Sequence, residues 1–499
     1  MADVLPRLLS FPRRSDTTHA VSDEEYDEQA RNFVAYLKEC LPNKTDEVSG
    51  GILEQLDPSV HSLSFLLVFH FHVLALRSRT NQVIPKDLYP GNNLWSKALL
   101  FLKTFDPIQV RYAGYEWRKV VESVARAAEA VAKPLLAIRP IRDAMLRLDP
   151  SGSSFTSNHV LLSRLCLRAR AYALALPVID KDICVFPASA DQAYLRRSQP
   201  VMCAQHESSA TFITNTSGFS SKLTYRDHLQ YFLYSSMIYM GLKQWDRALH
   251  FLSIVISSPS INSVSAIMVE AYKKWVLVSL LAKGAPIPIP TITPPHAVKL
   301  YRSLARPYDA LADAFRTGNF DKLKAEAEIG QSIWHMDNNT GLVLQVLAAF
   351  RWHSVLKLGA TFSAVTIADV SRRASLVARD LFETELFVLS LVASGKLNAT
   401  LLNPRYASNS TMLRFSSLLP SSDAVLEKSI RQRLLVEQQK LRVLANNVQS
   451  SDMRLELGKE YVDYLRKSQK RNDSTSKDGL GKAGGRDLDF DEDMMSDLR

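Results

Sequence analysis

At 499 residues the chain exceeds what one compact core holds, so several domains or one extended repeat array are expected. With 46% apolar and 22% charged residues it reads as a folded, water-soluble protein, and 18 glycines are too few for an all-β design rich in tight turns. The net charge of +10 suits an anionic partner such as nucleic acid, an acidic protein or a membrane surface, and is equally ordinary for a large subunit of an assembly.

The cysteines, Cys40, Cys166, Cys184 and Cys203, form no Cys-x-x-Cys pair, which argues against a zinc ribbon or a disulfide framework and fits a reducing compartment. Asp3 and Pro6 interrupt the place where a secretory signal needs an apolar core. The longest apolar run, Phe65 to Leu76, is too short to span a bilayer. An intracellular protein with no membrane partner is the expectation.

Residues 1–20 are expected as a flexible tail and residues 21–350 as a helical-repeat solenoid. Early in it, "SLSFLLVFHFHVLALRSRT" sets His70 and His72 one residue apart. JAMM-type metalloproteases hold zinc with His-x-His-Pro followed by Ser-x-x-Asp. Here Val73 replaces the proline, and Thr80, Asn81, Gln82 and Val83 stand where the second motif belongs. On a helix, residues two apart point about 200° from each other and cannot clamp one ion. The pair therefore belongs to a buried helix among Phe65, Leu66, Phe69 and Leu74, with no metal or other cofactor expected.

The repeat cadence is clearest in "YFLYSSMIYMGLKQWDRALHFLSIVISSP". Tyr231, Tyr234, Ile238, Leu242, Trp245, Leu249, Leu252 and Ile256 recur at helical period, with a pause near Gly241 and Lys243 and small Ala248 where two helices must approach. "SRLCLRARAYALALPVID" repeats this with Tyr172, Ala175 and Leu176, and "ALADAFRTGNFDKLKAEAE" with Gly318, Phe320 and Leu323. The aromatic markers lie 73 and 75 residues apart, about two helix pairs each if a unit runs roughly 34 to 40 residues. A right-handed, TPR-like solenoid follows, with a plain helical bundle as the alternative. His206 to Lys222 is expected as a loop insertion, and "GAPIPIPTITPP", with its five prolines, as an exposed connection. Glu270 beside Lys273 and Lys274 reads as a surface ion pair.

After residue 350 the texture changes, and residues 351–420 are expected as a winged-helix domain. "TFSAVTIADVSRRASL" gives a strand-like lead and a helix from Ile367; a second helix, Asp380 to Gly395, is followed by a strand that "MLRFSS" can pair with. The second helix holds Asp380, Glu383 and Glu385 and no cation, so it would repel the phosphates that a DNA-reading helix must meet. Asp380, Glu383, Leu386 and Phe387 are instead expected to dock protein. Residues 421–467 read as one long helix on which Leu434, Leu441, Val448, Leu455 and Val462 fall every seven residues, with Ile430, Leu444 and Leu465 on the neighbouring seam. Glu437, Ser451 and Gly458 break that second seam, which favours a helix entering a bundle over a long dimeric coiled coil. Residues 468–499 read as a disordered tail with an acidic end, preceded by a basic run, Arg466 to Arg471, that resembles a nuclear import signal.

Phosphate-loop and Gly-x-Ser-x-Gly motifs are both missing, so no enzyme is expected. Helical repeats, one winged helix and a long C-terminal helix together resemble the PCI-domain family, which builds the proteasome lid, the COP-nine signalosome and a translation-initiation complex. "YFLYSSMIYMGLKQWDRALHFLSIVISSP", "MVEAYKKWVLVSLLAKG", "RLCLRARAYALALPVID", "HMDNNTGLVLQV" and "TFSAVTIADVSRR" are similar to its signalosome members. The resemblance implies a non-catalytic scaffold for cullin deneddylation, in cytoplasm and nucleus. It implies a winged helix that stacks on other PCI subunits, a C-terminal helix in a shared bundle, and the first and eighth signalosome subunits as neighbours. A proteasome-lid PCI subunit shares the architecture, and a nucleic-acid-binding PCI protein of the messenger-RNA export kind is the alternative from another class.

Overall fold

In a computed structural model the described residues are 4–11, 22–42, 51–81, 84–187, 201–206, 209–260, 263–373, 381–402, 411–415, 423–456 and 461–468. Two compact units divide the chain: Met1–Ala188 with Pro200–Arg431, and Ser189–Gln199 with Gln432–Arg499.

The first unit is a succession of helices, most of which pack on their neighbours in sequence, as a solenoid requires. Tyr225–Gly241 opens with a reciprocal capping box between Thr224 and Asp227, which supplies partners for its first backbone N–H groups. The turn after it is made by Lys243 in the left-handed region (φ 59°), and Trp245–Ile256 follows with Ala248 fully buried at the contact. Gly241 serves a different need. A Cβ there would fall 2.6 Å from the Tyr172 ring, so glycine lets the preceding repeat approach. Gly318 (φ 77°) makes the turn between Arg306–Thr317 and Phe320–Ile329.

Four expectations change here. The tail begins with a helix, Val4–Leu9, whose Leu8 is buried and whose carbonyl accepts from Ser64 Oγ at 2.8 Å. Residues 12–20 lie outside the described residues. The unit after Ser157–Arg168 shrinks to a 3₁₀ turn and one helical turn, Leu176–Ile179, because Pro177 cannot continue a helix and can only start one. The serine-rich insertion is a plug rather than a loose loop: Phe212, Ile213 and Phe219 are buried, and Arg118 Nε donates to the Gly218 carbonyl at 2.9 Å. Within the proline-rich stretch Ile287 and Ile289 pack on the core, whereas Ile292 is 81% exposed and Ala285, Pro288, Thr291 and Pro295 also face solvent.

The helix Thr340–Thr361 runs unbroken through the expected boundary at residue 350. Val343, Val346 and Phe350 belong to the repeat core, whereas Val355 belongs to a second core with Val365, Val370, Val388 and Leu413. Around that second core, β1 (Ala364–Thr366) leads into Ile367–Arg373, then Leu381–Ala393, β2 (Ala399–Leu402) and β3 (Met412–Phe415). The sheet is antiparallel in the order β1-β3-β2, with Leu413 opposite both Val365 and Leu401. That is winged-helix topology, with the short lead strand incorporated as a third strand.

In the second unit the described residues are helical: the part of Asp423–Glu456 from Gln432 onward, and residues 461–468. Residues 469–499, with the acidic end and half of the basic run, lie outside the described residues.

Buried histidines make the fold acid-sensitive. Burial pushes His159 down to about 4, and it also lowers His70, His228 and His353. The unfolded chain binds these protons near pH 6.5, so stability present above that value is lost as pH falls toward 4, at about 1.4 kcal/mol per pH unit for each fully suppressed protonation. Denaturation midpoints should fall steadily from pH 7 to 5. His159→Gln, which keeps a capping acceptor for the Thr156 N–H, should lessen that fall.

Candidate docking surfaces

On Leu381–Ala393, Thr384, Val388 and Leu391 face the second core. Two residues out of phase, Phe382, Leu386 and Leu389 form another i, i+4, i+7 row, and that row is exposed, Phe382 by 63%. The helix is thus apolar on two sides, as expected of one that is buried in a larger assembly. Of the residues expected to dock, Glu383 is exposed beside this row, Leu386 is in it, Phe387 is half-buried, and Asp380 lies outside the described residues. Phe382 and Leu389 of this row, and Leu381 beside it, are exposed on a face that the sequence does not set apart, because apolar residues recur on two sides of the helix.

A part-buried polar junction sits at the start of Thr340–Thr361, the helix that continues into this second core. Lys273 Nζ donates to both Asp337 carboxylate oxygens, at 2.7 and 2.8 Å, and Tyr308 Oη donates to Asp337 Oδ2 at 2.7 Å. Burial raises the Asp337 carboxyl, but the bonds from Lys273 and Tyr308 and the nearby lysine charges outweigh it and hold the group below the usual range. Lys274 is buried, pairs with Glu270, and donates to Asn339 Oδ1 at 2.7 Å; Asn339 Nδ2 in turn donates to Tyr308 Oη at 2.8 Å. The expected surface ion pair is therefore a network joining Ala266–Lys283 and Arg306–Thr317 to the Asp337–Asn339 turn. Farther along the same helix, His353 Nε2 donates to the Leu281 carbonyl at 3.3 Å, and its ring lies where a Cβ on Gly284 would sit.

On the long helix Asp423–Glu456 nearly every described side chain is exposed, those of the expected seam included. Leu434 and Leu441 are each 65% exposed, Ile430, Leu444, Val448 and Leu455 are exposed too, and Val462, in the helical residues 461–468, is half-buried. Leu435, Val436, Val443 and Met453, outside the seam, are exposed as well. Covering a Leu or Val side chain is worth about 1.5–3 kcal/mol, so such a row strongly favours a partner.

His70 is buried against the Tyr115 ring, 5.9 Å away, and His72 is half-buried; Leu74, expected inside, is exposed. Burial holds His70 below its usual range. Among the described residues no group of three His, Cys, Asp or Glu side chains is placed to hold a metal ion, and no helix is long and apolar enough to cross a membrane.

The geometry defines a helical-repeat protein that ends in a winged helix and a long helix with exposed apolar rows. A family model described as COP9 signalosome complex subunit 3, N-terminal helical repeats, matches residues 24–297. The chain is similar to COP9 signalosome complex subunit 3 of Emericella nidulans, with 43% identity over the full length of both proteins. It is also similar to the protein of that name from Neurospora crassa, with 26% identity over 98% of each. The chain belongs to the COP9 signalosome subunit 3 family.

Asp337→Ala strips Lys273 and Tyr308 of a shared acceptor. Hydrogen bonds to a charged group are worth about 1.5–3 kcal/mol, so chemical denaturation should report a loss of about 2–3 kcal/mol. Substitution of solvent-facing Asp313, paired with Arg316 on its own helix, should cost less than about 0.5 kcal/mol.

Proposed function

We propose that this chain is a non-catalytic scaffold subunit of the COP9 signalosome, in cytoplasm and nucleus. It supports removal of a ubiquitin-like modifier from cullin–RING ubiquitin ligases by holding other subunits together. The winged helix stacks on the equivalent PCI domains of its neighbours, which we take to be the first and eighth subunits. The long helix enters a bundle shared with the remaining subunits.

The observation that carries this reading is the exposed row Leu434, Leu441, Val448 and Leu455, on a helix that also exposes Leu435, Leu444 and Met453. Burying that row recovers on the order of 10 kcal/mol before ordering costs, enough to anchor a subunit. The exposed row on Leu381–Ala393 supports a second contact, and the exposed Glu383 beside it disfavours nucleic acid. The full-length likeness to proteins named as signalosome subunits favours that complex over the proteasome lid.

Leu441→Glu with Val448→Glu changes two solvent-facing residues, so the isolated chain should keep its denaturation midpoint within about 0.5 kcal/mol. Purified from cells through a tag on this chain, the double variant should lose the other signalosome subunits from its mass spectrum. Undiminished co-purification would contradict the bundle role.

A further inference from the structure

We propose that a cavity in the repeat core is a specific site for an internal water molecule, held by Trp117, Asp149 and Asn158. It has a volume of about 30 Å³ and lies where the Gly114–Ala130 and Ser157–Arg168 helices meet the plug at Ile213 and Phe219. Met145 and Leu148 form apolar wall; Ser154, Thr156, His159 and Lys181 also line it but have protein partners of their own, which leaves Trp117, Asp149 and Asn158 to offer unused polar atoms. Trp117 Nε1, Asp149 Oδ2 and Asn158 Oδ1 are all buried and have no protein partner. The second polar atom of Asp149 and of Asn158 is engaged. Asp149 Oδ1 accepts from Ser151 Oγ at 2.6 Å and from the Gly152 N–H at 2.9 Å. Asn158 Nδ2 donates to the Phe219 carbonyl at 3.3 Å, which fixes the amide with its oxygen as the unused atom.

The three atoms select their ligand. Two are acceptors and one is a donor, so the guest must donate twice and accept once. A metal cation cannot accept from the indole N–H, and an anion is repelled by the carboxylate and the amide oxygen. The cavity has room for one or two waters. Water, which can donate twice and accept once, satisfies all three, and buried polar groups in native proteins are satisfied in this way. The guest would join the first helix of the contact, the Asp149 turn and, through Asn158 and Phe219, the plug. It would act as the polar node that keeps the insertion seated.

The test uses the full chain labelled with nitrogen-15 at its indoles, with Trp117→Phe identifying the Trp117 signal. The Trp117 indole proton should show a cross-peak to water with the sign of a long-lived contact, and a crystal of the wild-type chain should show density within hydrogen-bond distance of all three atoms. A buried indole proton with no water cross-peak would overturn the proposal, as would a crystal in which Trp117 Nε1 bonds directly to a protein acceptor. If Trp117→Phe fails to fold, the crystal decides alone.

Discussion

One helix has to satisfy two cores. Thr340–Thr361 buries Val343, Val346 and Phe350 among the repeats and Val355 in the winged-helix core, with no break between. A rotation of that helix at its first turn would therefore move the wing as a rigid extension. The Lys273–Asp337–Tyr308–Asn339–Lys274 network sits at that first turn, and His353 fastens the same helix to the end of Ala266–Lys283. Apolar packing tolerates small rotations, whereas charge-assisted hydrogen bonds with fixed partners do not. The stringency of the polar junction follows from what lies downstream of it.

What lies downstream is a set of surfaces that the chain leaves apolar. The Phe382, Leu386 and Leu389 row is exposed although the opposite side of the same helix is already packed. On the long helix nearly every described residue is exposed, the leucines included. Exposed apolar rows of this length are costly for a protein that works alone and ordinary for one that lives in an assembly. The membership of this chain in a family of complex subunits and its physical chemistry point the same way.

Much of this was legible from residues. Trp245 with Ala248 marked a helix pair, because a large ring and a small residue at helical spacing are what close helix packing needs. The strand lead at Ala364, the helix from Ile367 and the pairing partner at Met412 were readable because each is short, bounded and β-branched or apolar. On the long helix the seven-residue spacing of Leu434, Leu441, Val448 and Leu455 was readable as a pattern, and all four are exposed along with nearly all of the helix's described residues. The losses have physical reasons too. Pro177 shortens a helix that the cadence of Tyr172 and Ala175 suggested in full. Lys274 reads as a surface residue until Asn339, 65 positions away, arrives to bury it. The plug could not be read from a serine-rich stretch, since its anchors Phe212 and Phe219 gain meaning only against Trp117 and Arg118. Long-range partners, unlike period and turn chemistry, leave no local mark.

The most direct measurement of the central claim is amide hydrogen exchange on the long helix, in the isolated chain and in the purified assembly. An uncovered helix opens locally with little cost, so amides of residues 430–456 should exchange rapidly in the isolated chain and become strongly protected in the assembly. Amides of the buried Ala266–Lys283 helix should exchange slowly in both. Equal exchange of residues 430–456 in the two states would contradict the account, because it would mean that nothing covers the seam.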